Sequence, residues 1–122
     1  MALPVAIQLY SIRDEAEKDL KAVLAEVKSM GYDGVEFAGL YGHSAEDVAS
    51  MIRDAGLVPI SAHVALDELL ADTQAVINAY KTIGCRYIAV PYLPGDRRPE
   101  SGAFESTLED IRNIGRQCAD AG

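Results

Sequence analysis

Apolar residues along the chain first alternate with polar ones and then switch to steps of three and four, and this exchange occurs four times. Val5, Ile7 and Leu9 alternate with Ala6, Gln8 and Tyr10, a spacing that predicts a strand. Leu20, Val23, Leu24, Val27 and Met30 follow as one stripe of a helix, which Gly31 can close in the left-handed conformation. Val35 and Phe37 around Glu36 predict strand two. The next helix carries Val48, Met51, Ile52 and Ala55, is capped by Ser44 with Asp47 three residues on, and is closed by Gly56. Pro59 to Val64 predicts strand three, followed by one helix with Leu69, Val76, Ile77, Tyr80 and Ile83 that ends at Gly84. Tyr87 to Leu93 predicts strand four. A Pro- and Gly-rich loop from Pro94 to Gly102 then leads to a last helix with Phe104, Leu108, Ile111, Ile114 and Cys118 on one face.

Strands that alternate with helices in this way require a parallel sheet with right-handed crossovers, an α/β fold. Four units in 122 residues average about 30 residues each, the repeat of an eight-unit barrel of about 250 residues. The expectation is a single domain over residues 1–122, the parallel (βα)4 half of a TIM barrel. Asp120-Ala121-Gly122 repeats Asp54-Ala55-Gly56, which leads directly into strand three, so the sequence is expected to stop just before a fifth strand. Four strands leave two open edges, to be covered by dimerisation, by a missing C-terminal half, or by closure as an open sandwich.

Strand periodicity separates the residues that face the helices from those that face the barrel axis. Val5, Ile7 and Leu9 of strand one face the helices, which turns Gln8 and Tyr10 inward. Val35 and Phe37 leave Glu36 inward; Ile60, Ala62 and Val64 leave Ser61 and His63 inward; Ile88 and Val90 leave Ala89 and Pro91 inward. Three adjacent strands thus place polar groups towards their carboxyl ends, where barrel enzymes build their sites. A packed lumen would carry branched apolar residues there, and burying an ionised Glu36 costs several kcal/mol unless it is hydrated or paired, for instance with His63.

Composition narrows the partners. Eleven Lys and Arg against 19 Asp and Glu give a formal charge of −8, and the content is 49% hydrophobic. An acidic chain offers no basic face to a phosphate backbone or an anionic membrane, so nucleic acid and membrane are excluded and a small ligand is favoured. Cys85 and Cys118 make no disulfide framework and read as core thiols, and without a signal or spanning run the chain is expected to be cytoplasmic.

Four stretches carry a likeness to a known family: Val5-Ala6-Ile7-Gln8-Leu9-Tyr10-Ser11-Ile12-Arg13-Asp14, Met30-Gly31-Tyr32-Asp33-Gly34-Val35-Glu36-Phe37-Ala38-Gly39, Ile60-Ser61-Ala62-His63-Val64 and Gly84-Cys85-Arg86-Tyr87-Ile88-Ala89-Val90-Pro91. In order and at successive strand ends, they resemble the first half of the xylose isomerase-like sugar phosphate isomerase/epimerase superfamily. The resemblance implies a divalent-metal-dependent isomerase or epimerase acting on a sugar or sugar phosphate, with Mn, Mg, Co or Zn in the complete barrel. It implies substrate-binding roles for Gln8, Tyr10, Glu36 and His63. The family's usual Glu, Asp, His and Glu ligands come from strands five to eight, so no metal ligand and no catalytic residue is assigned here, and the chain alone is expected to bind no metal tightly and to be inactive.

The other charged and small residues have plainer readings. His43 is a solvated loop residue, Gly39 and Gly42 are turn residues without a dinucleotide-binding spacing, and Arg13-Asp14-Glu15 and Asp96-Arg97-Arg98 are solvated or capping groups. Two alternative functions stand beside the enzyme half: a non-catalytic half-barrel that self-associates, and a receiver-like signalling domain of similar length. A receiver needs acidic residues after strand one and an Asp ending strand three; here those strands end in Tyr10-Ser11 and Ser61-Ala62-His63.

Overall fold

Residues 2–122 are described by a computed structural model of the chain. Its elements run β1 (Ala6–Gln8), a 3-10 turn (Leu9–Ile12), α1 (Arg13–Lys18), α2 (Leu20–Ser29), β2 (Gly34–Ala38), α3 (Ala45–Ala55), β3 (Val58–His63), α4 (Leu66–Ala71), α5 (Thr73–Ile83), β4 (Tyr87–Ala89), two 3-10 turns (Gly95–Arg97 and Pro99–Ser101) and α6 (Phe104–Ala121). All four strands are parallel and lie in sequence order, β1-β2-β3-β4. The doubly wound order of a receiver, with β1 between β2 and β3, is therefore not this sheet.

The chain divides into two compact units, one taking in the residues up to His63 together with Ala79–Ala89, the other Val64–Asn78 with Val90–Gly122. The first unit holds the whole sheet. Leu9, Leu20, Leu24, Val27, Val35, Phe37, Val48, Ile52 and Ala62 are buried in it, at the helix-facing positions that the alternation and the helical stripes predict. Side chains of this kind stabilise by roughly 1.5–3 kcal/mol each when fully buried. In the second unit Val64, Leu66, Leu69, Val76, Ile77, Thr107 and Ile114 are buried.

Capping explains the helix boundaries. The Ser44 hydroxyl accepts from Asp47 N at 3.1 Å and starts α3. Gly56, at φ +70, ends it, with its N–H on Ile52 O and that of Leu57 reaching the same carbonyl. One break runs against the periodicity. The single helix expected before Gly84 is α4 and α5, because Asp72 leaves the helical backbone at φ −158 and ψ 86 and its Oδ1 accepts from Ala75 N at 3.0 Å. Asp19 starts α2 by the same device, accepting from Ala22 N, and separates it from α1, a helix that the spacing does not predict. An Asp inside an apolar stripe offers the backbone a competing acceptor, which the stripe does not register.

The strands also correct the sequence reading. Strand one ends at Gln8, so Tyr10 lies in the following 3-10 turn instead of on the sheet. Strand four ends at Ala89, opposite His63, where β3 itself ends; Val90 to Leu93 have no strand to pair with, and Pro91 has no N–H to give. Between β2 and β3 the register skips: Val35 faces Pro59, but Glu36 faces Ser61, leaving Ile60 as an extra residue. Ile60 is consequently 39% exposed instead of facing the helices. Its side chain lies against Gly34, where an added Cβ would stand 3.3 Å from Ile60 Cγ1 and Cδ1 and 2.5 Å from Val58 O. Val5 and Met30, expected in the core, are exposed because they fall outside β1 and α2.

Candidate functional site

Paired residues of parallel strands point to one face, so the register alone builds the site. Gln8, Glu36, Ser61 and Tyr87 form one transverse row across β1 to β4. Ala38, His63 and Ala89 form the next row towards the carboxyl ends. The bulge is what keeps Glu36 opposite Ser61: without the extra residue at Ile60, every later side chain of β3 would change faces relative to β2.

The polar members of these rows touch. Gln8 Nε2 donates to Glu36 Oε1 at 2.5 Å and lies 3.2 Å from both ring nitrogens of His63. His63 Nε2 is 3.1 Å from Glu36 Oε1. The Ser61 hydroxyl donates to the other carboxylate oxygen, Oε2. The Glu36 and His63 side chains keep 26% and 31% of their surface accessible, so the cluster is sheltered yet open to a ligand. Donation from Ser61 is the main reason the Glu36 carboxyl is held below the ordinary value of 4.5; Gln8 and His63 act in the same sense and desolvation opposes them. The arrangement presents an ionised acceptor and an imidazole side by side, groups suited to gripping hydroxyls.

Three of the four predicted substrate-binding residues, Gln8, Glu36 and His63, are thus brought together. Tyr10 is not part of that hydrogen-bonded cluster. It is 55% exposed, with the Arg13 guanidinium 4.2 Å from its ring centroid and Arg13 Nη1 donating to its carbonyl. Ser61, read from the sequence as inward but given no role, belongs to the cluster; the register shift between β2 and β3 sets it opposite Glu36. In the loop after β2, the backbone of Tyr41 is left-handed at φ +54 and its hydroxyl is buried with no hydrogen-bond partner among the described residues. Burial is the main cause that pushes this phenol upward. A sequence does not display either property.

Among the described residues no group of three or more His, Cys, Asp or Glu gathers as a metal centre. Glu36 and His63 meet as a pair, without a third such group beside them. Burial pushes the Cys85 thiol up to about 11 and raises that of Cys118, which leaves both unreactive at neutral pH. A cleft of about 450 Å³ along α6 is lined by Glu105, Ser106, Glu109, Arg112, Asn113 and Arg116 and includes none of the row residues. No helix of the described residues is long and apolar enough to cross a membrane.

A singly wound parallel sheet with polar groups at its carboxyl ends is the architecture of a (β/α)-barrel site. Among solved structures the chain is similar to a sugar phosphate isomerase/epimerase from Parabacteroides distasonis ATCC 8503, with a TM-score of 0.78 at 20% sequence identity. The alignment covers 98% of this chain and 48% of that one, so the chain spans about half the length of the protein it matches. This likeness shows the fold: four parallel strands with alternating helices, matching half of a TIM barrel. No family model matches the chain, and no curated protein matches it.

Proposed function

We propose that the chain is the amino-terminal half of a divalent-metal-dependent sugar or sugar-phosphate isomerase/epimerase barrel and supplies one wall of its substrate pocket. The observation that carries this reading is the contact of Gln8, Glu36 and His63 across three strands at their carboxyl ends. Structural similarity to a sugar phosphate isomerase/epimerase supports the substrate class. In this reading Glu36, Gln8 and His63 bind and orient hydroxyl groups, while the metal (Mn, Mg, Co or Zn) and the groups that move the proton belong to the complementary half. The 122-residue chain then binds sugar weakly and turns nothing over, and it works in the cytoplasm.

The test is calorimetric titration of the chain with D-fructose, alongside an isomerisation assay with Mn²⁺ or Mg²⁺. Millimolar binding that Glu36→Gln weakens, without turnover, is expected. Turnover by the chain alone would contradict the assignment of the missing groups to another half, and absence of any sugar binding would contradict the pocket.

One observation favours a second reading, self-association without catalysis. Val58, Ile60 and Tyr87 are exposed on the face that carries the polar rows, an apolar surface that a second copy or a complementary half would cover. Sedimentation separates the two, because a stable monomer at micromolar concentration argues against pairing of copies.

A further inference from the structure

Ser61 is among the few buried polar side chains of the described residues, 8% exposed on β3, between β2 and β4. A branched apolar residue would ordinarily fill such a place. Ser61 stands directly opposite Glu36 in the register, and its hydroxyl donates to Glu36 Oε2. Oε1 takes the Gln8 amide at 2.5 Å and faces His63 Nε2 at 3.1 Å. An ionised carboxylate has about four lone-pair sites, two on each oxygen. Gln8 takes a site on Oε1 and Ser61 takes one on Oε2, so Oε2 keeps a second acceptor site for a ligand.

We propose that Ser61 is the positioning residue of this pocket, clamping Glu36 from β3 while Gln8 clamps it from β1, so that the remaining Oε2 site grips one hydroxyl of an unphosphorylated sugar end. This deepens the sugar reading above and rests on it. The chemistry of the cluster selects the ligand group. A hydroxyl brings the proton that Oε2 lacks. The dianion of a phosphate ester brings only acceptor oxygens and negative charge to an anionic carboxylate, inorganic phosphate brings the same negative charge, and the cluster of Gln8, Glu36, Ser61 and His63 contains no Lys or Arg to receive either. A sugar phosphate therefore places a hydroxyl here and its phosphate elsewhere.

The experiment compares the full chain with Ser61→Ala, Glu36→Gln and the double variant, titrated with D-fructose and with inorganic phosphate. The ¹³C signal of the Glu36 carboxyl is followed against pH in the chain and in Ser61→Ala. Ser61→Ala removes one atom from a buried site, and circular dichroism confirms its fold. The chain is expected to bind D-fructose and not phosphate, with about tenfold weaker binding in Ser61→Ala, the loss that follows a hydrogen bond to a charged group. That loss vanishes in the Glu36→Gln background, and the Glu36 carboxyl of Ser61→Ala titrates at higher pH than in the parent. A role confined to packing would weaken both backgrounds equally and leave the carboxyl titration in place. An unmoved Glu36 titration in Ser61→Ala overturns the positioning role whether or not sugar binds. Phosphate bound at the row overturns the selectivity, and failure of the parent chain to bind D-fructose overturns the sugar reading on which the selectivity rests.

Discussion

Gln8 and Glu36 are 28 residues apart in the chain and 2.5 Å apart at their polar atoms, because β1 and β2 run parallel with these two residues in register. The contact joins strands separated by two helices, so it exists only when the first crossover has formed. Glu36 is in turn held from β3 by Ser61, 25 residues further on. One carboxylate thereby reports on the alignment of three strands, and its ionisation is coupled to folding.

That coupling has a sign. A carboxyl held below its ordinary value in the folded chain contributes stability that is complete above the unfolded value, 4.5 here, and is lost as the pH falls through the lower folded value. Urea unfolding of the parent chain from pH 7 down to pH 3 should therefore lose more free energy than that of Glu36→Gln, which has no such proton to take up. Parallel pH dependences would show that the carboxylate is not held as described.

Gly34→Ala tests the close approach of β2 to β3. The added Cβ would stand 2.5 Å from Val58 O, a backbone atom that cannot move without displacing the strand. The expected cost is about 1–3 kcal/mol, the range for forcing a methyl group into a filled site. Because β3 carries Ser61 and His63, sugar binding should weaken together with stability. A denaturation midpoint equal to the parent's would refute this packing.

The framework of alternating elements was legible in the sequence because both periods are strong where one face is buried. Phe37, Leu24 and Ile52 occupy the faces that spacing assigns them. Glu36 and His63 were legible for the same reason, as polar residues where the period demands an inward side chain. What was not legible depends on partners far along the chain. Ile60 left its expected face because a bulge sets β3 against β2, and Tyr10 left the sheet because β1 stops at Gln8. The hydroxyl of Ser61 acquires a role only from Glu36, which no local pattern connects to it. The break at Asp72 was local and readable in principle, but the apolar stripe from Leu69 to Ile83 outweighed a single capping residue.

Asp72→Ala checks that last point. It removes the acceptor for Ala75 N at the start of α5, and the loss of such a cap costs about 1 kcal/mol. Thermal unfolding should shift down by several degrees, about the size such a loss produces in a chain of this length. An unchanged transition would mean that the break between α4 and α5 is held by other contacts.

Where a sugar binds decides between the strand-end cluster and the cleft along α6. Two-dimensional NMR of the labelled full chain, titrated with D-fructose, locates the contact residue by residue. The predicted result is a set of shifts centred on the side-chain amide of Gln8, the ring of His63 and the backbone amides of Glu36 and Ser61. Shifts confined to the cleft along α6 near Glu109 and Arg112, or no shifts at the strand ends, would contradict it.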